Sequence, residues 1–254
     1  MNSATMRSSY SWLTRGLSRP PQPSDRRKSR LRRASLRRLE TLEDRTLLNA
    51  SIDIDAAALL AYNTDPAAIE NLDVSVAGGV YTFASNQTIN VATNVPGLIV
   101  TGNNTNTVTV AGIVGLTVAA GVSGDSVAIL SSNVPTTVVA AASNATVSLG
   151  DAGVTAGVIS QVTLIATGGG SVDVGVDDHA GAAGDAWNLT AQAAPSTLSE
   201  LTGFSTTGSL VYIPAQIHSI SLSTAANQPN ALTVDFVNGS PLPANGASPI
   251  LNYS

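Results

Sequence analysis

Four aspartates lie close together in a glycine-rich stretch of the second half of the chain. They are Asp173, Asp177, Asp178 and Asp185, and the run Gly168-Gly-Gly precedes them. Carboxylate and carbonyl oxygens are the ligands that Ca²⁺ prefers, and glycine lets the backbone close around the ion. The stretch is therefore the best candidate for a Ca²⁺ site, and no other cofactor is expected. A second interpretation, carboxylates on solvated turns, stays open on sequence alone.

The spacing of these residues matches a calcium-binding repeat only in part. Gly168–Val174 and Gly121–Val127 are degenerate versions of the nonapeptide G-G-x-G-x-D-x-U-x, in which each turn supplies an aspartate. The two histidines, His179 and His218, have no spacing to acidic residues that forms a metal motif. We expect each of them to be a surface or strand residue.

Enzymatic chemistry has one candidate pair, the adjacent carboxyl groups of Asp177 and Asp178. A polysaccharide hydrolase needs two carboxyl groups as acid and base. A lyase that removes a proton with lysine or arginine is excluded, because neither residue occurs after Arg45. The sequence also lacks the G-x-S-x-G motif of serine hydrolases. We expect no enzymatic activity; the alternative is a Ca²⁺-dependent glycan-binding or polysaccharide-degrading protein centred on Asp173–Asp185.

Charge divides the chain into two parts. Residues 1–50 contain all 12 basic residues and four acidic ones, a formal charge of +8, whereas the rest holds 13 acidic residues and no lysine or arginine, a charge of −13. An acidic segment without cations cannot neutralise phosphates, so residues 51–254 are not expected to bind nucleic acid or anionic membranes. With no cysteine in the chain, disulfides and thiolate metal sites are excluded.

The basic segment is rich in arginine and serine and is interrupted by Pro20, Pro21 and Pro23. Such a composition cannot bury a core, and we expect a disordered leader over residues 1–50. A nucleic-acid-binding arm, an organelle transit peptide and an export segment all fit it. Towards its end, Leu36, Leu39, Leu42 and Leu47 recur at a spacing that places them on one side of a helix.

The end of the leader carries a specific motif. Its residues are Leu39, Glu40, Leu42, Glu43, Asp44, Arg45, Leu47 and Leu48, with basic residues before them. This pattern resembles the amino-terminal extracellular-domain motif of planctomycete surface proteins. The resemblance covers about 15 residues and implies an extracellular or cell-surface location, with removal of the leader near Leu48–Ala50. It implies no activity.

Residues 72–237 consist of short runs of valine, isoleucine, leucine and threonine between clusters of glycine, asparagine, serine and aspartate, which predicts many short strands. Leu98, Leu116, Thr137 and Val162 begin similar segments, 18, 21 and 25 residues apart. A second series, Val108, Val127, Val147 and Val172, has intervals of 19, 20 and 25. Two series in step at the length of one coil favour a solenoid.

We therefore predict an all-β fold, a right-handed parallel β-helix over residues 51–254, with an antiparallel β-sandwich as the alternative. Residues 51–70 are expected to form a cap, 71–176 regular coils and 177–254 irregular coils. The absence of charged residues between Asp73 and Asp125 fits this prediction, because a charge in a stacked coil repels its copy in the next coil.

The last part of the chain carries a second resemblance. Leu232–Gly246, with the pattern L-T-V-D-F-x-x-G-x-P-x-P-x-x-G, resembles a module that recurs in large bacterial surface proteins of the adhesin type. Val108–Val122 is uncharged but too short for a transmembrane helix. The sequence thus predicts a secreted or cell-surface solenoid with a structural or adhesive role, whose partners are cell-surface or matrix polymers.

Overall fold

The computed structural model describes residues 49–92, 95–141, 144–167, 169, 171–182, 184–225, 228–244 and 250–253. Residues 1–48, which include the export motif Leu39 to Leu48, lie outside the described residues, whereas Asn49 and Ala50 at the end of the predicted leader are described. The described residues form strands and one short 3₁₀ turn at Pro214–Gln216, with no α-helix among them. Consequently no segment of this part of the chain is a helix with the length and hydrophobicity that a bilayer crossing requires.

The strands are β1 (Ala50–Ile54), β2 (Leu59–Asn63), β3 (Asn71–Ala77), β4 (Val80–Val91), β5 (Ile99–Thr101), β6 (Thr105–Ala111), β7 (Gly115–Ala120), β8 (Ser126–Ile129), β9 (Thr136–Ala140), β10 (Ala145–Leu149), β11 (Gln161–Ala166), β12 (Val172–Asp177), β13 (Ala186–Ala191), β14 (Ser199–Thr202), β15 (Ser209–Tyr212), β16 (Ile217–Ser223), β17 (Ala231–Asp235) and β18 (Ile250–Tyr253).

Five of these strands stack in parallel, in the order β2, β7, β9, β11 and β15, and we name them ladder A. Successive side chains of a strand point to opposite faces, so every second residue points into the core. One such column holds Tyr62, Val118, Val138, Leu164 and Tyr212, each at most 1% exposed. Ladder A thus buries one row of large side chains along the stack.

A second parallel stack, ladder B, consists of β3, β8, β10, β12, β16 and β18. Its inward column contains Leu72, Val127, Val147, Val174 and Ile220, none more than 2% exposed. The two ladders enclose a single hydrophobic core. The short β-branched runs of the sequence form these strands because such side chains pack well in a pleated sheet.

Each coil supplies one strand to each ladder, as β7 and β8, β9 and β10, and β11 and β12 do. Strands that follow one another in a ladder therefore come from successive coils and run parallel. The all-β parallel solenoid is confirmed, and the antiparallel sandwich is wrong. The right-handed winding stays a prediction, in line with the general rule for parallel crossovers.

The position of the first coil differs from the prediction. The sequence predicts that Leu98 and Val108 begin a coil, but strands β4, β5 and β6 form an antiparallel insertion in which β4 pairs with β3 and β6, and β5 pairs with β6. The rungs below β7 and β8 are instead β2 and β3. Antiparallel hairpins of this length mimic a solenoid interval, since both alternate short apolar runs with turns.

Two registers also differ from the intervals in the sequence. Leu116 lies opposite Thr136 and not Thr137, and Val147 lies opposite Val174 and not Val172. A shift of one residue reverses the direction of a side chain. The structure consequently places the side chain of Thr137 on the outer face of ladder A.

Antiparallel strands flank the parallel rungs at both ends of ladder A. At the amino-terminal end β1 pairs with β2 in antiparallel orientation and with β4 in parallel orientation. At the other end β15, β14 and β13 pair antiparallel in succession, and β17 lies parallel to β13. Residues 51–70, expected to form a cap, thus contain one flanking strand and the first rung of ladder A.

Truncation of a core residue tests this assignment of inward and outward positions. We expect Leu164→Ala to lower the free energy of unfolding by about 2–5 kcal/mol, because the cavity lies in a packed column. The neighbouring outward substitution Thr163→Ala should change it by no more than about 0.5 kcal/mol. Urea denaturation of both variants measures the difference, and equal effects would contradict the register.

Candidate functional site

Strand β12 and the turn after it carry three of the four predicted Ca²⁺ ligands. Asp173 and Asp177 are four residues apart on β12, so they share its outer face. Asp178 follows the strand and is buried, with 6% of its surface exposed. Asp185 lies just before β13 and is also buried, at 8%. The structure therefore divides the four aspartates into two half-exposed ones and two buried ones.

Each half-exposed aspartate contacts a histidine. His179 Nδ1 lies 2.7 Å from Asp177 Oδ1, and His218 Nδ1 lies 2.8 Å from Asp173 Oδ1. The hydroxyl of Ser219 also donates a hydrogen bond to Asp173. The ring of His179 occupies the space where a Cβ at Gly153 would lie, which explains a glycine there. Asp173 and Asp177 thus have partners of their own and do not turn towards the buried pair.

The Asp173–His218 contact has no signal in the sequence. The two residues are 45 positions apart, but β12 and β16 are adjacent rungs of ladder B, with Asp173 opposite Ser219. The interval between these rungs is long because β13 and β14 are inserted in that coil. The expectation that both histidines are surface or strand residues agrees with their exposure of 58% and 47%.

Asp178 is held by the loop before it in the solenoid. Thr155 N–H donates to Asp178 Oδ1 at 2.7 Å, and Thr155 Oγ1 lies 2.9 Å from the same oxygen. The Thr155 hydroxyl also contacts the carbonyl of Phe204. The Thr155 backbone N–H and hydroxyl thus hold the Asp178 carboxyl against the loop between β10 and β11.

Asp185 is the less well satisfied member of the buried pair. Its Oδ2 accepts a hydrogen bond from Ala225 N–H at the long distance of 3.4 Å. Burial raises the pKa of Asp185; the Trp187 indole opposes this rise, and the nearby Asp178 carboxyl adds to it. The Trp187 Nε1 atom itself lies close to Asp185 without a hydrogen bond of good geometry. The Asp178 carboxyl thus disfavours a second negative charge at Asp185.

A pocket of about 280 Å³ opens beside this pair. Its lining residues are Val154, Thr155, Ala156, Asp178, Gly181, Ala182, Asp185, Phe204, Ser205 and Thr206. The pair and the three hydroxyl side chains give the pocket hydrogen-bonding capacity without any positive group. Because its polar groups are carboxyls and hydroxyls, the pocket is better suited to bind a cation or the hydroxyl groups of a polyol than an anion.

The structure does not bring all four predicted ligands together. Among the residues it describes, no three histidine, aspartate or glutamate side chains converge to hold a metal ion. Of the four predicted ligands, only Asp178 and Asp185 converge. A Ca²⁺ ion takes about six to eight oxygen ligands, so other groups would have to supply most of them. The Ca²⁺ site stays a prediction, now restricted to these two residues.

A second group of buried carboxyls surrounds Asp125, which belongs to the degenerate repeat Gly121–Val127, whereas its partner Glu70 had no signal in the sequence. Asp125, fully buried, accepts hydrogen bonds from Thr64 Oγ1 at 2.9 Å, Glu70 N at 2.9 Å and Val122 N at 3.0 Å. Glu70 in turn accepts from Asp65 N at 3.0 Å and from the hydroxyl of Tyr62. These bonds join the turns of two successive coils. Every acceptor has a donor, so the group stabilises the turns and offers no ligand site.

A second pocket, beside the antiparallel insertion, has a different character. It measures about 320 Å³ and is lined by Ile54, Val91, Ala92, Val95, Leu98, Val100 and Asn103. No titratable side chain lines it, and the Asn103 side chain already accepts a hydrogen bond from Val91 N–H at 2.8 Å. This pocket lacks groups for acid–base chemistry.

The buried pair predicts a specific pH dependence of stability. Because the pKa of Asp185 is raised above its ordinary 3.8, the folded protein binds this proton more tightly than the unfolded chain does. The resulting stabilisation is complete below that ordinary pKa and is lost as the pH rises through the raised value. We expect the melting temperature of Asp185→Asn, relative to the native protein, to rise as the pH increases from acidic to neutral.

Thermal melting across that pH range measures the effect. Asp151→Asn removes a negative charge from an exposed turn and serves as the control for net charge. A relative melting temperature that changes with pH in the same way for both variants would contradict the assignment to the buried pair.

Comparison with models of known protein families, with curated proteins and with solved structures finds no match to this chain. The resemblance of residues 39–48 to an export motif stays a prediction. The function of the chain must therefore be argued from its own geometry.

Proposed function

We propose that this chain is a secreted or cell-surface solenoid with a structural or adhesive role and no enzymatic activity. The observation that supports this most directly is the repetition of small outward side chains along the coils. Outward positions of ladder B include Ser126, Thr146, Ser148, Ser219 and Ser221. Such a face offers many similar hydrogen-bonding groups at regular intervals, which suits a polymer better than a single small substrate.

The partners that fit this surface are uncharged or cationic polymers of a cell surface or matrix. Residues after Arg45 contain no lysine or arginine, so the folded part has no permanently cationic side chain to attract an anionic polymer. The half-exposed aspartates of β12 add acceptors to the face. Neutral glycans present hydroxyl groups that can both donate and accept hydrogen bonds to serine, threonine and aspartate.

The location follows from the leader. Strand β1 begins at Ala50, whose side chain is fully buried. Ala50 lies opposite Ile89 of β4 in the flanking sheet. Removal of the leader before Ala50 would leave this pairing in place, and removal after Ala50 would still leave Ser51 opposite Asn90 and Ile52 opposite Val91. Cleavage near Leu48–Ala50 is thus compatible with the folded part, which supports the proposal that residues 39–48 are an export and processing motif.

Amino-terminal sequencing of the protein recovered outside the cell tests that step. The first residue of the mature protein should lie near Asn49–Ser51, because cleavage farther along would remove the first strand. Material recovered outside the cell with an intact Met1 would contradict leader removal.

The second candidate function is a Ca²⁺-dependent glycan binder or polysaccharide-degrading enzyme, and the convergence of Asp178 and Asp185 on one pocket favours it. In this case the ion would use these carboxylates, and the neighbouring hydroxyls would contact the sugar. The two functions differ in their dependence on Ca²⁺ and on the buried pair.

Binding to an insoluble cell-surface or matrix polymer fraction separates them. For the structural or adhesive function we expect retention that chelation of Ca²⁺ does not change, no release of reducing ends, and equal retention of the Asp178→Asn and Asp185→Asn variants. Retention that is lost on chelation or in these variants would favour the second candidate, and release of reducing ends would show an enzyme. Absence of retention on every polymer tested would contradict the adhesive role.

A further inference from the structure

The two sides of the solenoid differ in length at the carboxyl-terminal end of the stack. Beyond β11, the side of ladder A continues with β15, β14, β13 and β17, each paired with the strand before it. Beyond β12, ladder B continues with only β16 and β18 among the described strands. Because β11 and β12 belong to one coil, four strands on one side face two on the other. We name the excess strands, β13 and β17, the overhang.

The inward side chains of the overhang become less buried towards its last strand. Trp187 and Leu189 of β13 are fully buried, whereas their register partners in β17, Leu232 and Val234, are only partly buried. Phe236, which directly follows β17, is 56% exposed. The last strand therefore carries partly exposed apolar side chains on the side that faces ladder B, and no described strand of ladder B lies opposite to cover them.

The loop after β17 covers the overhang only in part. Its Leu242 packs against the core, and the hydroxyl of Tyr212 donates a hydrogen bond to the carbonyl of Pro241 at 2.6 Å. Ala244 N–H donates to the carbonyl of Pro214 at 2.8 Å. Tyr212 belongs to β15, so this loop returns to the level of β15, which lies before the overhang. The exposure of Phe236 agrees with this course of the loop.

Strand β18 has an open edge next to the overhang. Among the described residues it pairs with β16 alone, in parallel orientation. In a parallel pair each residue directs its N–H and C=O to one side, and successive residues alternate, so every second residue of β18 presents both groups to the open edge. Such an edge is a template for another strand. A strand added there would continue ladder B and lie opposite the overhang.

We propose that this end of the solenoid binds an extended segment of a partner protein, which adds a strand to the open edge of β18 and covers Leu232, Val234 and Phe236. Backbone groups at strand spacing are satisfied together by another extended chain, and side chains at alternate positions of that chain face the row. These positions must be apolar. Residues 51–254 carry 13 acidic residues and no lysine or arginine, so basic residues beside the segment favour binding.

This inference goes beyond the proposed function and does not depend on it. The polymer face is the outer surface of ladder B, whereas the strand site is the end of the stack. A partner protein could therefore hold one end of the solenoid while its side contacts a polymer, and either interaction can fail alone.

Peptide binding to the full chain tests the proposal. The probe is a heptapeptide in which valine and threonine alternate between two terminal lysines. A control peptide of the same composition with consecutive valines should bind about tenfold more weakly or worse, because its apolar side chains cannot share one face. Hydrogen–deuterium exchange should show protection of Ile250–Tyr253 by the alternating peptide. It should show no change in β5, which also pairs with a single described strand.

Two variants at exposed positions locate the site. Phe236→Ser should weaken binding of the alternating peptide about tenfold or more, because an aromatic side chain is then no longer buried by the peptide. Ile99→Ser removes an apolar side chain that is 68% exposed in β5 and should leave binding unchanged. Thermal melting of both variants checks that they remain folded.

The inference is overturned by equal binding of the two peptides, by protection that does not include Ile250–Tyr253, or by equal effects of Phe236→Ser and Ile99→Ser. Sedimentation velocity supplies a further test: self-association of the native chain that Phe236→Ser abolishes would assign the site to a second copy. Polymer retention is measured in parallel. Retention without peptide binding contradicts this inference alone, and peptide binding without retention contradicts the adhesive role alone.

Discussion

The distance between rungs is the constraint on which this structure depends. Register partners in a ladder lie about 4.8 Å apart, and the described chain has no lysine or arginine to place between two acids. Six of the acids lie in strands, and each has uncharged register partners. Asp73 lies beside Ala84 and Ala128, Asp173 beside Thr146 and Ser219, and Glu200 beside Thr190 and Val211. The same holds for Asp53, Asp177 and Asp235. Charge is tolerated in a rung when the next rung has none.

The other seven acids lie in turns. Their surroundings distinguish a carboxyl that stabilises the fold from carboxyls that line a candidate site. Asp125 receives three hydrogen bonds from donors of two coils, so that each of its two oxygens has a donor. Asp178 and Asp185 lie in the irregular part, where the inserted β13 and β14 interrupt the stack. There the backbone supplies fewer donors, and two carboxyls meet instead. The demand that every buried carboxyl be satisfied by N–H and O–H groups is met in the regular coils and is incomplete at this one pocket.

The strands could be predicted from the sequence because runs of β-branched residues and turn residues determine structure locally. Their pairing could not be predicted in full, because it depends on residues far apart in the chain. β11 and β12 follow from Val162 and its neighbours and from Val172–Val176, and the parallel stacking follows from the coil interval. The insertion over residues 80–111 was misread, since Leu98 and Val108 keep nearly the same interval in an antiparallel hairpin. The Asp173–His218 contact required knowledge of which coil carries the insertion. Burial of Asp178 next to Asp185 depends on loop packing that no local pattern records.

The two outer faces show which features stability demands and which it does not. Stacking requires that neighbouring rungs avoid like charge, and both ladders comply. It does not require valine and isoleucine on an outward face, because ladder B is equally regular with Ser126, Ser148 and Ser221 in such positions. Val139 and Ile165 therefore expose apolar surface on ladder A that the fold itself does not need. An exposed apolar surface of this kind gains free energy when it is covered, and the acids of β1 and β14 exclude covers that bring more negative charge to its ends.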